Sequence, residues 1–198
     1  LVLDADNTLA PYDASTLYWQ LSGVGSNPLK DLFKSPLGYS YTAFRQMTWL
    51  YEQHQHADFT GTFNQICENE ASHIKVHPQI LALLQRACAD KTVDVVIVTC
   101  GLENVWEKVL AHLNLSATIP IIGNGLLSNR YVVTPKTKAD IVAPLRYHYK
   151  LHVCAIGDSL VDVGMLTKAD RSFVVVGPEH GRSKSVESAL IKAFKENG

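Results

Sequence analysis

Two aspartates lie close together near the start of the chain. Asp4 and Asp6 directly follow the apolar run Leu1–Leu3, and Asn7 and Thr8 after them suit a turn. A turn would bring both carboxylates to one side of the strand end, where paired carboxylates bind a hard divalent cation. A polar loop without chemistry accounts for this short pattern equally well.

A hydroxyl and a glycine follow the most apolar run, which spans residues 93–99. Thr99, Cys100 and Gly101 precede a predicted helix. A hydroxyl with backbone amides at a helix N-terminus forms a phosphate site. An ordinary strand-to-helix turn is the alternative.

Two lysines lie at the start of another predicted helix. Lys136 and Lys138 flank Thr137, which we predict as the N-cap. A lysine there opposes the helix dipole, so a bound anion would explain its position. A solvated surface lysine is the alternative.

A second pair of acids follows the apolar run 151–156. Asp158 and Asp162 are four residues apart, a spacing that brings side chains together where a helix begins. The alternative is an aspartate that only caps this helix.

Apolar patterning predicts the elements that carry these four segments. We predict strands at 1–3, 93–99, 119–122, 151–156 and 172–176, and helices at 78–89, 102–113, 137–148 and 183–195. Strands that alternate with helices form a parallel sheet covered on both faces. The four segments then lie at carboxyl ends of strands, where α/β sheets bind ligands.

Residues 15–77 carry helical patterns at 29–33, 41–55 and 63–73 but no clear buried strand. We therefore predict a helical cap domain over 15–77 and a core domain formed by 1–14 and 78–198. The aromatic residues of the cap either line a substrate pocket or pack inside the cap: Tyr18, Trp19, Tyr39, Tyr41, Phe44, Trp49 and Tyr51.

Composition excludes several classes of partner. The net charge of −1 provides no overall field for nucleic acid or an anionic membrane. No apolar run approaches the roughly 18 residues of a membrane span, and the four cysteines form no CxxC pair. We expect reduced thiols, a cytoplasmic location and a small-molecule partner.

Taken together, the four segments resemble the four motifs of the haloacid dehalogenase superfamily, over residues 1 to about 176. The resemblance implies a three-layer α/β/α Rossmann-like fold with a small helical cap inserted after the first strand. The insert resembles the cap of the branch that includes phosphoserine phosphatases.

The resemblance also implies an Mg²⁺-dependent phosphatase. Asp4 would be the nucleophile and form an aspartyl-phosphate, and Asp6 would be the general acid and base. Mg²⁺ would bind Asp4, the backbone carbonyl of Asp6, and Asp158. Asp162 would orient metal-bound water or the catalytic lysine.

The remaining motif residues would bind the transferring phosphoryl group. Thr99 with the amides of Cys100 and Gly101 would hold its oxygens. The resemblance requires one lysine, and we choose Lys138 over Lys136 because apolar residues follow Lys138 at the third and fourth positions.

Substrate choice is less determined by the sequence. Asp13 stands where phosphoserine phosphatases place a glutamate that meets the substrate amine, although a turn aspartate is the alternative. Arg45 is the nearest candidate for the substrate carboxylate, but Met47 occupies the expected position. Phosphoserine is therefore a doubtful substrate.

Three functions stay open at this point. A phosphatase is the first, and Asp6 favours it because the dehalogenases of this superfamily lack the second acid. A phosphomutase would use the same aspartyl-phosphate chemistry with a bisphosphate primer. A non-catalytic binding or regulatory domain would keep the fold, but all four motifs are intact.

Overall fold

The structure is a computed structural model that describes residues 1–55, 62–127 and 131–176, together with residues 188, 191, 192 and 195. The strands are β1 (Val2–Leu3), β2 (Val96–Leu102), β3 (Ile121–Asn124), β4 (Cys154–Gly157) and β5 (Arg171–Val174). The helices are α1 (Ala14–Leu21), α2 (Pro28–Lys34), α3 (Tyr41–Gln55), α4 (Phe63–His73), α5 (Pro78–Ala89), α6 (Glu103–His112), α7 (Pro135–Tyr147) and α8 (Val163–Lys168). None of the described helices is long and apolar enough to cross a membrane. The predicted helix at 183–195 lies largely outside the described residues.

The five strands form one parallel sheet in the order β3-β2-β1-β4-β5. Val2 of β1 pairs with Val96 of β2 on one side and with Ala155 of β4 on the other. The shortest strand is therefore the central one, and the residues after it emerge in the middle of the carboxyl edge.

Neighbouring residues of the central strands enter different apolar clusters because strand side chains alternate between faces. Val2 and Val98 pack on the face that α7 and α8 cover. Leu3 and Ile97 pack on the opposite face, with α5 and α6. Each large aliphatic side chain buried this way contributes roughly 1.5–3 kcal/mol. The predicted three-layer α/β/α fold is confirmed.

Four helices, α1 to α4, lie between β1 and α5, and buried aromatic rings hold them together. The rings of Trp19 and Tyr51 stack with centroids 5.4 Å apart, and Tyr18 meets Tyr51 edge-on at 5.0 Å. These rings belong to the same cluster as Leu3. These three aromatics of the insert are therefore core residues, and its apolar core is continuous with one face of the sheet.

The second strand lies further along the chain than its apolar run predicts. β2 ends at Leu102, which pairs with Asn124 of β3 after a shift of register beyond Val98. Thr99, Cys100 and Gly101 are thus strand residues, and the helix predicted to follow them, α6, begins at Glu103. Apolarity alone does not reveal this extension because polar side chains at a strand end resemble a turn.

Two helix starts also differ from the sequence prediction. α1 was not predicted, and Asp13 caps it by accepting a hydrogen bond from the Thr16 amide at 2.8 Å. α7 begins at Pro135 with Thr134, not Thr137, as its N-cap. Proline in the first turn needs no amide partner, which permits the earlier start.

Candidate active site

Asp4 stands at the end of β1 with its side chain buried. Its amide still donates to the carbonyl of Ile156 at 2.8 Å, so the residue keeps the register of the sheet. The chain then turns, and Asn7 adopts a positive φ of 55°, which asparagine tolerates better than most residues. This turn brings the Thr8 hydroxyl to 3.2 Å from Asp4 Oδ2 and 3.3 Å from Asp158 Oδ1.

Lys138 extends from the first turns of α7 into the centre of the site. Its side chain is fully buried, and Nζ donates to Asp4 Oδ1 and, at 2.6 Å, to Asp162 Oδ1. Burial by itself would lower the pKa of Lys138, but Asp4 and Asp162 raise it above the ordinary lysine value. The side chain is therefore held as an ammonium. Lys136, by contrast, is 83% exposed and pairs with Asp140 at 2.5 Å.

Asp162 is held rigidly by its own loop. Its Oδ2 accepts hydrogen bonds from the amide of Ser159 at 3.0 Å, the hydroxyl of Ser159 at 2.8 Å and the amide of Asp158 at 3.2 Å. A Cβ at Gly157 would lie 2.7 Å from the Asp162 Cβ, so only glycine allows this approach. Because both of its oxygens already have donors, Asp162 is suited to positioning Lys138.

The three acids of the site carry more charge than Lys138 neutralises. Oxygens of Asp4, Asp158 and Asp162 lie within 4.8 Å of one another, so three carboxylates surround one ammonium. Burial raises the pKa of Asp4 well above its ordinary value, although Lys138 opposes this, and burial with Asp162 nearby raises the pKa of Asp158 to about 6. Asp4 and Asp158 fit Mg²⁺, which usually binds through one or two carboxylates and completes its shell with water and phosphate oxygens.

Asp6 lies beside this cluster with one oxygen fixed. Oδ1 accepts hydrogen bonds from the Ala14 amide at 2.9 Å and from the indole Nε1 of Trp106 at 3.0 Å. Burial, with Asp13 nearby, raises the pKa of Asp6 to about 7. Oδ2 points toward Gly101, where a Cβ would lie 1.9 Å away. Trp106 was not predicted, because a tryptophan in an amphipathic helix resembles any other core residue.

Thr99, Cys100 and Gly101 lie along the same edge of the sheet. The Thr99 hydroxyl accepts a hydrogen bond from the Gly101 amide at 2.9 Å. Burial raises the pKa of the Cys100 thiol to about 12, so it is not a reactive thiolate. The structure therefore brings these three residues to the acids, at the end of β2 and directly before α6.

A protein-family model described as haloacid dehalogenase-like hydrolase matches residues 1–167. The chain belongs to this family. The family assignment agrees with the resemblance in the sequence, and it makes the chain a hydrolase of the haloacid dehalogenase type. No curated protein matches the chain in sequence.

Solved structures share the fold of this hydrolase at low sequence identity. The Dunaliella salina protein DsGPDH superposes with a TM-score of 0.65 at 15% identity, over 99% of this chain and 34% of that one. Cytosolic 5′-nucleotidase IIIB, solved bound to cytidine, superposes with a TM-score of 0.56 at 13% identity, over 99% of this chain and 84% of that one. The chain thus spans about a third of the Dunaliella protein.

Acids that follow β1 and β4 line an open cleft of about 930 Å³. Helices α1, α2 and α3 of the insert contribute further lining residues. Asp13 and Met47 line the cleft, whereas Arg45 is exposed and is not among the lining residues. The structure therefore brings Asp13, but not Arg45, to the candidate site.

Proposed function

We propose that this hydrolase is an Mg²⁺-dependent phosphatase that transfers the phosphoryl group of a small phosphate monoester first to Asp4 and then to water. One observation carries the proposal: the buried ammonium of Lys138 contacts Asp4 and is held there by Asp162. A fixed cation beside the attacking carboxylate stabilises the charge that develops on a transferring phosphoryl group.

The first half of the reaction uses both aspartates after β1. Asp4 attacks phosphorus, the bond from phosphorus to the leaving oxygen breaks, and Asp6 gives its proton to that oxygen. In the second half, Asp6 takes a proton from water, and the water oxygen attacks phosphorus and releases Asp4 and phosphate. A pKa of about 7 for Asp6 populates both of its forms near neutral pH.

Asp4, the backbone carbonyl of Asp6 and Asp158 would hold the Mg²⁺ ion. When bound, the cation supplies positive charge that reduces the repulsion between a carboxylate nucleophile and a phosphate dianion. The excess of carboxylates over ammonium groups in the site supports this assignment. Thr99, Cys100 and Gly101 would contact the phosphoryl oxygens.

Asp6 supports phosphoryl transfer over dehalogenation. A halide leaves without a proton, whereas an alkoxide leaving group needs one. The position of Asp6, with Oδ1 fixed by two donors, suits that proton transfer. Phosphoserine finds less support as the substrate because Arg45 is not part of the cleft.

The test compares the wild-type chain with Asp4→Asn on p-nitrophenyl phosphate and a panel of alkyl phosphates. We expect hydrolysis that requires added Mg²⁺ and that falls by about 10³-fold or more in Asp4→Asn. Mass spectrometry of the quenched reaction should find a phosphoryl adduct on the peptide that contains Asp4. Wild-type rates in excess EDTA would exclude the metal, and full activity of Asp4→Asn would exclude the nucleophile.

A further inference from the structure

The part of the cleft lining that the insert supplies includes an apolar surface beside its polar residues. Its apolar members come from α2, from the segment after α2 and from α3: Leu29, Phe33, Tyr39, Phe44 and Met47. The rings of Phe33 and Tyr39 stack at 5.1 Å with an interplanar angle of 23°, and Phe33 also meets Phe44 at 5.0 Å. We call these three rings the aromatic wall.

Part of the aromatic wall stays exposed to solvent after the insert has packed. Phe44 is almost completely buried, but Tyr39 is 56% exposed and Phe33 is half-buried. Exposed aromatic surface that lines a cleft is available to a ligand and gains free energy when a ligand covers it. By contrast, Tyr18, Trp19 and Tyr51 are buried away from the cleft.

Charged side chains also line the cleft. Lys30 and Lys34 of α2 line it together with Asp31, whereas Asp13 lies near Asp6. Arg45, the side chain proposed for a substrate carboxylate, is not among the lining residues. Apolar contact with the aromatic wall is therefore a source of selectivity that needs no charged group on the leaving group.

The cleft is also large enough for a leaving group that carries a ring. Pockets of about 300–1,000 Å³ accommodate drug-sized ligands, and this cleft has a volume of about 930 Å³. The serine part of phosphoserine has no ring to place on the aromatic wall, whereas a leaving group with a ring has flat apolar surface that can cover it.

We infer that the substrate is a phosphate monoester whose leaving group carries an aromatic or similarly flat apolar ring, which packs against Phe33 and Tyr39. This inference rests on the proposed phosphatase function and specifies its substrate class. The ring lies on the aromatic wall while the phosphoryl group lies at Asp4, because both surfaces belong to one continuous cleft.

The test compares benzyl phosphate with ethyl phosphate, which differ by the ring but both release a primary alcohol. We expect kcat/KM for benzyl phosphate to exceed that for ethyl phosphate by about tenfold or more, equivalent to about 1.4 kcal/mol. O-Phosphoserine serves as a third substrate and should behave like ethyl phosphate.

Two variants separate the aromatic wall from general effects on the insert. Tyr39→Ala should lower kcat/KM for benzyl phosphate by about fivefold or more and leave ethyl phosphate unchanged, since only the ring contacts the wall. Tyr41→Ala is the matched control, because Tyr41 is 58% exposed, close to Tyr39 in sequence and outside the cleft lining. The Tyr41→Ala variant should leave kcat/KM unchanged for both substrates.

The outcomes distinguish this inference from the proposed function. If benzyl phosphate and ethyl phosphate are hydrolysed at equal kcat/KM, or if Tyr39→Ala lowers kcat/KM equally for both, the ring-binding inference is wrong and the proposed phosphatase function is unaffected. If no phosphate ester is hydrolysed in an Asp4-dependent manner, the proposed function itself is wrong.

Discussion

Two ion pairs, with Asp4 and with Asp162, fix the position of the Lys138 ammonium. It is one of the largest fully buried side chains of the chain, and both ion pairs lie out of solvent. Lys136, two residues away, points into solvent and pairs only with Asp140. The two lysines therefore offer a matched test of the catalytic assignment.

Lys138→Met should abolish turnover, with a loss of about 10³-fold or more, because the transferring phosphoryl group loses its fixed cation. It should also lower the free energy of unfolding by roughly 3–5 kcal/mol, since Asp4 and Asp162 stay buried without a cationic partner. Steady-state kinetics and urea unfolding measure the two effects separately.

Lys136→Met is the control and should resemble wild type in both measurements, because an exposed ion pair contributes little. Wild-type turnover in Lys138→Met, or loss of turnover in Lys136→Met, would show that the catalytic lysine is assigned wrongly.

Trp106 holds the oxygen of Asp6 from a helix a hundred residues away. Trp106→Phe removes the indole donor and keeps most of the ring packing. We expect kcat/KM for an alkyl phosphate to fall by about 10–100-fold, because a displaced Asp6 protonates the leaving oxygen poorly. The kcat/KM for p-nitrophenyl phosphate, which reports only the steps up to formation of the aspartyl-phosphate, should change by less than about threefold, since nitrophenolate leaves without a proton.

Trp49→Phe provides the control for Trp106→Phe, since Trp49 is 50% exposed on α3 and does not line the cleft. An equal loss of kcat/KM on both substrates in Trp106→Phe would assign Trp106 a structural role only. Thermal unfolding of each variant checks that the fold is intact.

Helix α4 carries an acid in an unusual setting. Glu70 is fully buried, and neither carboxyl oxygen forms a hydrogen bond with any described residue. Burial, with Asp6 and Asp13 nearby, raises the pKa of Glu70 from 4.5 to about 10. The folded chain therefore keeps this carboxyl protonated at neutral pH, whereas the unfolded chain releases the proton.

Glu70→Gln should remove a pH dependence of stability. In the wild type, the contribution of protonated Glu70 is complete below pH 4.5 and declines as pH rises toward the folded pKa of about 10. The slope is roughly 1 kcal/mol per pH unit. Unfolding measured from pH 5 to 8 should show Glu70→Gln gaining stability over wild type as pH rises. A constant difference between the two would contradict the raised pKa.

Several elements could be predicted from apolar patterning alone. α5 begins and ends where its pattern predicts, and β4 and β5 each overlap their predicted runs by three residues, because buried strands and amphipathic helices have clear periods. α1 could not be predicted, since it is short and Asp13 resembles a turn residue until its partner Thr16 is known. The extension of β2 depends on pairing with β3, which is a long-range contact.

At the scale of the whole molecule, the insert divides into a firmly attached part and a lightly attached part. α4 is joined to α6 of the core by Glu68, which pairs with Lys108 at 3.0 Å and with His112 at 2.8 Å. Five side chains of α4 are buried, whereas in α2 only Leu29 is buried. The wall of the cleft that α2 forms therefore rests on few apolar contacts.

Hydrogen exchange should reveal this difference. Local opening of α2 exposes little apolar surface, so its amides should exchange at least about 10²-fold faster than those of α4. Exchange measured by mass spectrometry on peptides from the two helices provides the comparison. Equal protection would mean that the insert opens as one unit.

More of the architecture than of the site could be predicted from the sequence. The alternation of strands with helices was enough to predict a parallel sheet, and the polar segments after the strands were enough to predict that Asp4, Lys138, Asp158 and Asp162 gather at one edge. The donor from Trp106 and the exclusion of Arg45 from the cleft could not be predicted, because both depend on how helices pack across the molecule. Such packing is not encoded in local periodicity.

Gly101 deserves a place among the functional positions although it has no side chain to react. The missing Cβ leaves the space that Asp6 Oδ2 fills. In a mutational scan this position would therefore score like a catalytic residue, since even alanine would force the acid away from its donors. Intolerance to substitution would here mark a volume that must stay free for the Asp6 carboxylate. A scan interpreted by chemical reactivity alone would overlook this position.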